Sequence, residues 1–146
     1  MTYLINDIQK VDVQAYQTSL SYTGNVNISS AAYLTIGTPV HNSIDDLSQT
    51  SNAISLPAGC YLVEASLGVI NSQNPVSNAL EWKIELGGTE NSNAGASISN
   101  NKAGVDCAVS DFTLKEAQDI KIKITSVAGT CSISTDYSYL TILRTG

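Results

Sequence analysis

Apolar and polar residues alternate with a period of two along most of this chain. Ile120, Ile122 and Ile124 alternate with Lys121, Lys123 and Thr125. That spacing predicts a strand with isoleucine on one face and polar groups on the other. Leu80, Trp82, Ile84 and Leu86 alternate with Glu81, Lys83 and Glu85. This is a second strand, with Trp82 on its apolar side and a mixed-charge exposed side. Val11, Val13 and Ala15 alternate with Asp12, Gln14 and Tyr16, and Val26, Ile28 and Ser30 precede Tyr33-Leu34-Thr35-Ile36. The run 60–69 is apolar almost throughout, the pattern of a strand covered on both faces.

Turn chemistry separates these runs. Thr23-Gly24-Asn25, Pro57-Ala58-Gly59, Gly87-Gly88, Asn100-Asn101-Lys102 and Ala128-Gly129 are turn or loop signals. They recur at roughly the spacing expected of a sandwich or barrel. Helical periodicity is confined to Ile44-Asp45-Asp46-Leu47 and to 114–119, each long enough for one turn in a connection. The reading is nine or ten strands and no long helix. Polar loops are expected over 41–52 and 71–78, the latter holding Pro75, and a weak strand within 90–102 with Ala94, Ala96 and Ile98 on one face.

Composition narrows the class. A chain of 146 residues suits one domain with a real core. Charged residues make up only 14%, well below the roughly 25% of an average domain. Ser, Thr, Asn and Gln take their place, as on many β-protein surfaces. The net charge of −6 repels phosphate backbones, and the densest basic group, Lys115, Lys121 and Lys123, is interleaved with Glu116 and Asp119. Nucleic acid is therefore not an expected partner. The first residues carry no basic region ahead of a long apolar run, and no stretch matches a membrane-spanning helix. Synthesis in the cytosol is expected, with no membrane partner.

Candidate chemistry is sparse. The single histidine, His41, sits in a polar stretch with nothing spaced to form a triad around it. Cys60, Cys107 and Cys131 form no metal-type spacing and read as buried thiols acting as small hydrophobes. Asp45-Asp46 lacks calcium-loop spacing, and Gly87-Gly88 is not a phosphate loop. Asn27-Ile28-Ser29 matches a glycosylation acceptor only in form. No catalytic residue, metal site or cofactor is expected. Seven tyrosines against one Phe and one Trp suit rings that bury a face and keep a wet hydroxyl, at interfaces or on sandwich rims. Tyr137 and Tyr139, two apart, should share a strand face.

Two segments carry a family resemblance. Ile54-Ser55-Leu56-Pro57-Ala58-Gly59-Cys60-Tyr61-Leu62-Val63-Glu64-Ala65-Ser66 resembles the LPAG-x-Y strand of tumour-necrosis-factor-like jelly rolls in phage head and tail proteins. Tyr137-Ser138-Tyr139-Leu140-Thr141-Ile142-Leu143-Arg144 resembles the closing strand of the same domains. The stretch 112–122 resembles the segment entering the penultimate strands.

The resemblance implies an all-β, antiparallel two-sheet jelly roll of about ten strands, forming a homotrimer. Trimer contacts would fall on Tyr137, Tyr139, Thr141 and Leu143, or on the alternate face, Leu140 and Ile142. The domain would span 11–146. The segment 1–10, with Tyr3, Leu4, Ile5 and Ile8, would anchor it to a capsid or form another edge strand. The implied function is a phage capsid decoration protein, located in the virion, whose partners are its own copies and a major capsid or other virion protein. The alternative is a receptor-binding head of a tail fibre that recognises host glycans.

Overall fold

The computed structural model describes residues 13–26, 32–71, 80–90, 94–96, 103–127 and 130–146. Among them run β1 (Gln14–Ser21), β2 (Ala32–Tyr33), β3 (Thr35–Ile36), β4 (His41–Asn42), β5 (Ser48–Gln49), β6 (Ile54–Leu56) and β7 (Gly59–Asn71). There follow β8 (Leu80–Leu86), β9 (Thr89–Glu90), β10 (Ala94–Ala96), β11 (Ala103–Leu114), β12 (Gln118–Val127) and β13 (Cys131–Arg144). Several are two-residue ladders, which is why the total exceeds the expected ten.

The strands form two antiparallel sheets. The first runs β11-β7-β13-β1-β3, with β4 also on β1; the second runs β10-β8-β12-β6-β5, with β2 on β12 and β9 on β8. The first and last long strands lie side by side, from Gln14 opposite Arg144 to Ser19 opposite Tyr139. The all-β two-sheet sandwich expected from the sequence is the observed architecture.

The core is where the alternation put it on β8 and β12. Leu80, Trp82, Ile84, Ile120, Ile122 and Ile124 are buried between the sheets. Each fully buried aliphatic side chain contributes roughly 1.5–3 kcal/mol, so this pair of strands supplies much of the cohesion of the second sheet. Val69, Leu67, Ala65, Val63 and Tyr61 of β7 and Leu140 and Ile142 of β13 meet them from the first sheet.

Three expectations need correction. On β1 the buried positions are Tyr16, Thr18 and Leu20, while Val13 is exposed. Hydroxyls make this parity affordable. The Tyr16 hydroxyl donates to Gln49 Oε1 on β5 at 2.5 Å, and the Thr18 hydroxyl donates to the Gly37 carbonyl at 2.7 Å. Gln49 Nε2 in turn donates to the Gly37 carbonyl at 2.8 Å, so one amide bridges the two sheets. Glu85 is buried rather than solvated, because the Tyr33 hydroxyl lies 3.2 Å from both its oxygens and Lys123 lies 3.6 Å away. Of the cysteines only Cys131 is buried; Cys60 is half-buried and Cys107 exposed, and no disulfide joins them.

Other expectations hold in part. The stretch 41–52 contains β4 and β5, and Asp45-Asp46 forms a turn rather than a helix. The weak strand in 90–102 is β10, paired with β8; Ile98 lies outside the described residues. So do Val11, Ile28, Asn27, Pro75, the 100–102 and 128–129 turns and the whole of 1–12. The run 60–69 is covered on both faces only over 65–69.

That double cover comes from β13. Ser134 pairs with Gly68 and Tyr139 with Ser66, so residues 135–138 stand opposite Leu67 alone. The bulge is closed by hydroxyls. Ser138 Oγ donates to the Ser134 carbonyl at 2.6 Å and accepts the Gly68 N–H at 3.0 Å, and Ser66 Oγ donates to the Tyr137 carbonyl at 3.2 Å. A Cβ on Gly68 would stand 2.6 Å from the Tyr137 Cβ. Gly68→Ala should therefore force the bulge off β7, lowering unfolding stability by about 1–3 kcal/mol. Urea denaturation would show this as a lower midpoint at unchanged slope.

Candidate interaction surface

The two motif segments form one corner. Pro57, Ala58 and Gly59 turn the chain from β6 into β7, where Tyr61 points inward and donates its hydroxyl back to the Pro57 carbonyl at 2.8 Å. Arg144, at the end of β13, donates Nη2 to the Ala58 carbonyl at 2.8 Å, and its guanidinium lies 6.0 Å from the Tyr61 ring centre. The ladder continues past β13, with Cys60 N–H to the Gly146 carbonyl at 2.7 Å and Thr145 N–H to the Cys60 carbonyl at 2.8 Å. Gly59 sits at φ +157, and a Cβ there would meet the Gly146 oxygen at 2.8 Å and Arg144 Nε at 2.9 Å. Glycine is needed for that approach. The corner therefore clamps β13 onto β7 and sets the outward face of both.

That face consists of cross-strand rows. One runs Cys107, Ser66, Tyr139, Ser19 over β11, β7, β13 and β1. The next runs Val109, Glu64, Thr141, Gln17 and on to His41 of β4; the third runs Asp111, Leu62, Leu143, Ala15. Leu140 and Ile142 are core, so Tyr139, Thr141 and Leu143 are the outward residues of β13. Tyr137 stands out on the same side from the bulge, as the two-residue spacing required. The structure thus places the four residues named from the sequence on one face. Tyr3, Leu4, Ile5 and Ile8 lie outside the described residues.

The residues the sequence reading missed are on β7 and β11. Leu62 is 38% exposed, Ile70 44%, Val105 57% and Val109 59%, and they join Tyr137 at 61% and Tyr139 at 37% on β13. Over 105–110 strand β11 is inverted: Val105, Cys107 and Val109 point out, while Asp106, Ala108 and Ser110 point in; farther along, Phe112 and Leu114 face the core in the usual way. Its alternation was present in the sequence, but alternation alone does not say which side meets the core. At the β11 end, Gly68, Ile70, Gly104, Val105, Ser134 and Tyr137 surround a cleft of about 360 Å³.

Charge divides the two outer faces. On the second sheet Lys83 pairs with Glu90 at 2.8 Å, Lys123 with Glu90 at 3.3 Å, and Lys121 lies 4.8 Å over the Tyr33 ring. The Lys83 and Lys123 bonds hold the Glu90 carboxyl below its usual range. The outward rows of the first sheet contain no lysine or arginine among the described residues. Their carboxylates are Glu64, which accepts the Tyr139 hydroxyl at 3.1 Å, and Asp111. That bond to Glu64, with burial, raises the Tyr139 phenol. Among the described residues no three His, Cys, Asp or Glu side chains cluster to hold a metal.

No protein-family model and no curated protein matches the sequence. Solved structures do match the fold. Murine APRIL aligns over 89% of this chain and 98% of its own, with a TM-score of 0.66 at 13% identity. Eiger TNF from S. frugiperda aligns over 92% and 93%, with a TM-score of 0.66 at 14% identity. The fold is TNF-like. At this identity the likeness concerns the fold alone. The clamped β7–β13 corner lies within the TNF-like sandwich, and the apolar rows are the outer face of its first sheet.

Inside the sandwich β11 carries the liability of its inversion. Burial raises the Asp106 carboxyl, and the Cys107 N–H and the Trp82 side chain offset only part of that. A raised carboxyl means that ionised Asp106 disfavours the folded state at neutral pH. The penalty is relieved as pH falls through the folded value and is gone below the unfolded one, about 3.9. Asp106→Asn should raise Tm at pH 7, and the gain should close by about pH 3. Thermal unfolding followed by circular dichroism across that range tests the sign.

Proposed function

We propose that the chain is a non-catalytic module that associates with its own copies through the outer face of the first sheet, as a homotrimer, and that it decorates a virion shell. The outward valines of the 105–110 stretch of β11 carry the self-association reading. A strand of an isolated soluble sandwich puts its larger apolar side inward, yet here Val105 and Val109 face out beside Leu62, Ile70, Tyr137 and Tyr139. Several exposed apolar side chains among neutral Ser, Thr and Gln positions, with no lysine or arginine among the described residues, have the composition of an interface centre. The opposite face, laced with Lys–Glu pairs, has that of a solvated surface.

Three copies, rather than two, follow from the resemblance to the TNF-like jelly roll. The virion role follows from the LPAG-x-Y and closing-strand motifs of the phage domains, and the segment 1–10 is the proposed anchor. Carbohydrate recognition by a tail-fibre head is the competing reading, and a specific signal on a glycan array would favour it.

Two outcomes are expected. Val109→Asp and Leu62→Asp should each convert a sedimenting trimer to monomer at micromolar concentration while leaving the circular dichroism of the sandwich intact. A wild-type chain that sediments as a monomer would remove the basis of the reading. Deleting residues 1–10 should abolish co-sedimentation with capsid shells without altering the oligomeric state; unchanged shell binding would reject the anchor.

A further inference from the structure

Strand β11 is held to the sandwich unequally along its length. Among the described residues it is an end strand, hydrogen-bonded to β7 alone. From Gly104 to Ser110 its inward positions are Gly104, Asp106, Ala108 and Ser110. Ala108 is the one buried apolar side chain among them. Beyond them Phe112 packs on the core with its ring centre 6.0 Å from that of Tyr61, and Leu114 is buried. Local opening costs least where few apolar side chains are buried. The 104–110 half is therefore the weakly held one, and Phe112 is the first firm anchor.

That half brings Asp106 against Trp82 of the second sheet. The Trp82 side chain is fully buried, and its Nε1 has no hydrogen-bond partner. Asp106 Oδ2 is likewise buried without a partner. The indole lies close enough to temper the carboxylate charge, as does the Cys107 N–H, yet burial outweighs both. Among the described residues no other titratable side chain faces Asp106. On β7 the one inward titratable group is Tyr61, opposite Phe112 at the anchored end. β8 turns Glu81, Lys83 and Glu85 to the other side of its sheet, and β10 contains no titratable residue. The Cys107 thiol points outward.

We infer that the 104–110 half of β11 is a flap, hinged at Phe112, that opens from the sandwich as pH rises and uncovers Trp82. Opening gives the Asp106 carboxylate the water that the closed flap denies it. A protonated Asp106 carries no such penalty, so the closed form binds the proton more tightly than the open one. By linkage, closure is undisturbed below the open-state value of about 3.9, weakens as pH rises from there, and levels off above the raised closed-state value. Asp106→Asn keeps the shape of the side chain and removes the charge.

Hydrogen exchange resolved by segment tests this at pH 4.5 and pH 7.5, with each amide referred to its intrinsic exchange rate. In wild type, protection over 104–110 should be about tenfold or more lower at pH 7.5, while β12 stays the better protected at both. In Asp106→Asn, protection over 104–110 at pH 7.5 should match that of wild type at pH 4.5. Trp82 is the one tryptophan of the chain, so acrylamide quenching of its fluorescence should rise with pH in wild type and stay level in the variant. Asp106→Ala gives the same comparison should the asparagine variant not fold. Uniform protection along β11, or a pH response over 104–110 that the variant shares, overturns the inference. So does a loss of protection at pH 7.5 that β12 shares in full, which would place the effect in global unfolding. Where acid unfolds the whole chain, wild type against Asp106→Asn at pH 7.5 decides alone, and equal protection over 104–110 overturns the flap.

Discussion

The pairing of β7 with β13 is the interaction on which the rest of this structure depends. It runs from Tyr61 opposite Arg144 to Asn71 opposite Cys131, interrupted only by the bulge. It places β7 between β11 and β13, and β13 between β7 and β1. Each neighbour therefore takes its register from this pair. The corner of Pro57, Gly59, Tyr61 and Arg144 pins one end, and the hydroxyl bonds of Ser66 and Ser138 hold the bulge in its middle. A one-residue slip would turn Leu140 and Ile142 out and Tyr139, Thr141 and Leu143 in. The same register thus decides which side chains make the core and which make the outer face.

The two outer faces show how differently a β-sandwich can finish its surface. On the second sheet, buried Glu85 and exposed Glu90 are held by lysines and a tyrosine hydroxyl. On the first sheet the end strand β11 turns Val105 and Val109 outward and brings Asp106 inside, while Phe112 and Leu114 still face the core. That arrangement costs core burial and brings in a carboxyl beside Trp82 that burial raises. A cost of that kind makes physical sense where the outward valines recover burial against another surface.

How much of this was legible in the sequence depended on whether a strand obeyed the simple rule. Ile120, Ile122 and Ile124, with Leu80, Trp82 and Ile84, obey it, so the second sheet could be read directly. Strand β1 does not, because Tyr16 and Thr18 find buried hydroxyl partners in Gln49 and Gly37 that lie more than fifteen residues away. Glu85 was misread for the same reason: the partners that let it be buried, Tyr33 and Lys123, arrive from other strands. β11 was unreadable in a different sense, since Val105 and Val109 look like core residues until the sheet shows that the core is on their other side. The face of β13 was legible as a pair of alternatives, and packing of Leu140 and Ile142 chose between them.

The topology adds a constraint of its own. Gln14 pairs with Arg144 and Gly59 approaches Gly146, so the first sheet closes only when strands far apart in sequence have met. Loop-closure entropy makes such pairings slow to form. Until β13 docks, β7 presents Leu62, Val63, Leu67 and Val69 on an unpaired edge, and β11 presents its valines beside it. The outer face of the first sheet then appears as a unit, because its rows cross all of these strands. Because each row crosses β13, the outer face has its full composition only where the β7–β13 and β13–β1 ladders are both in register.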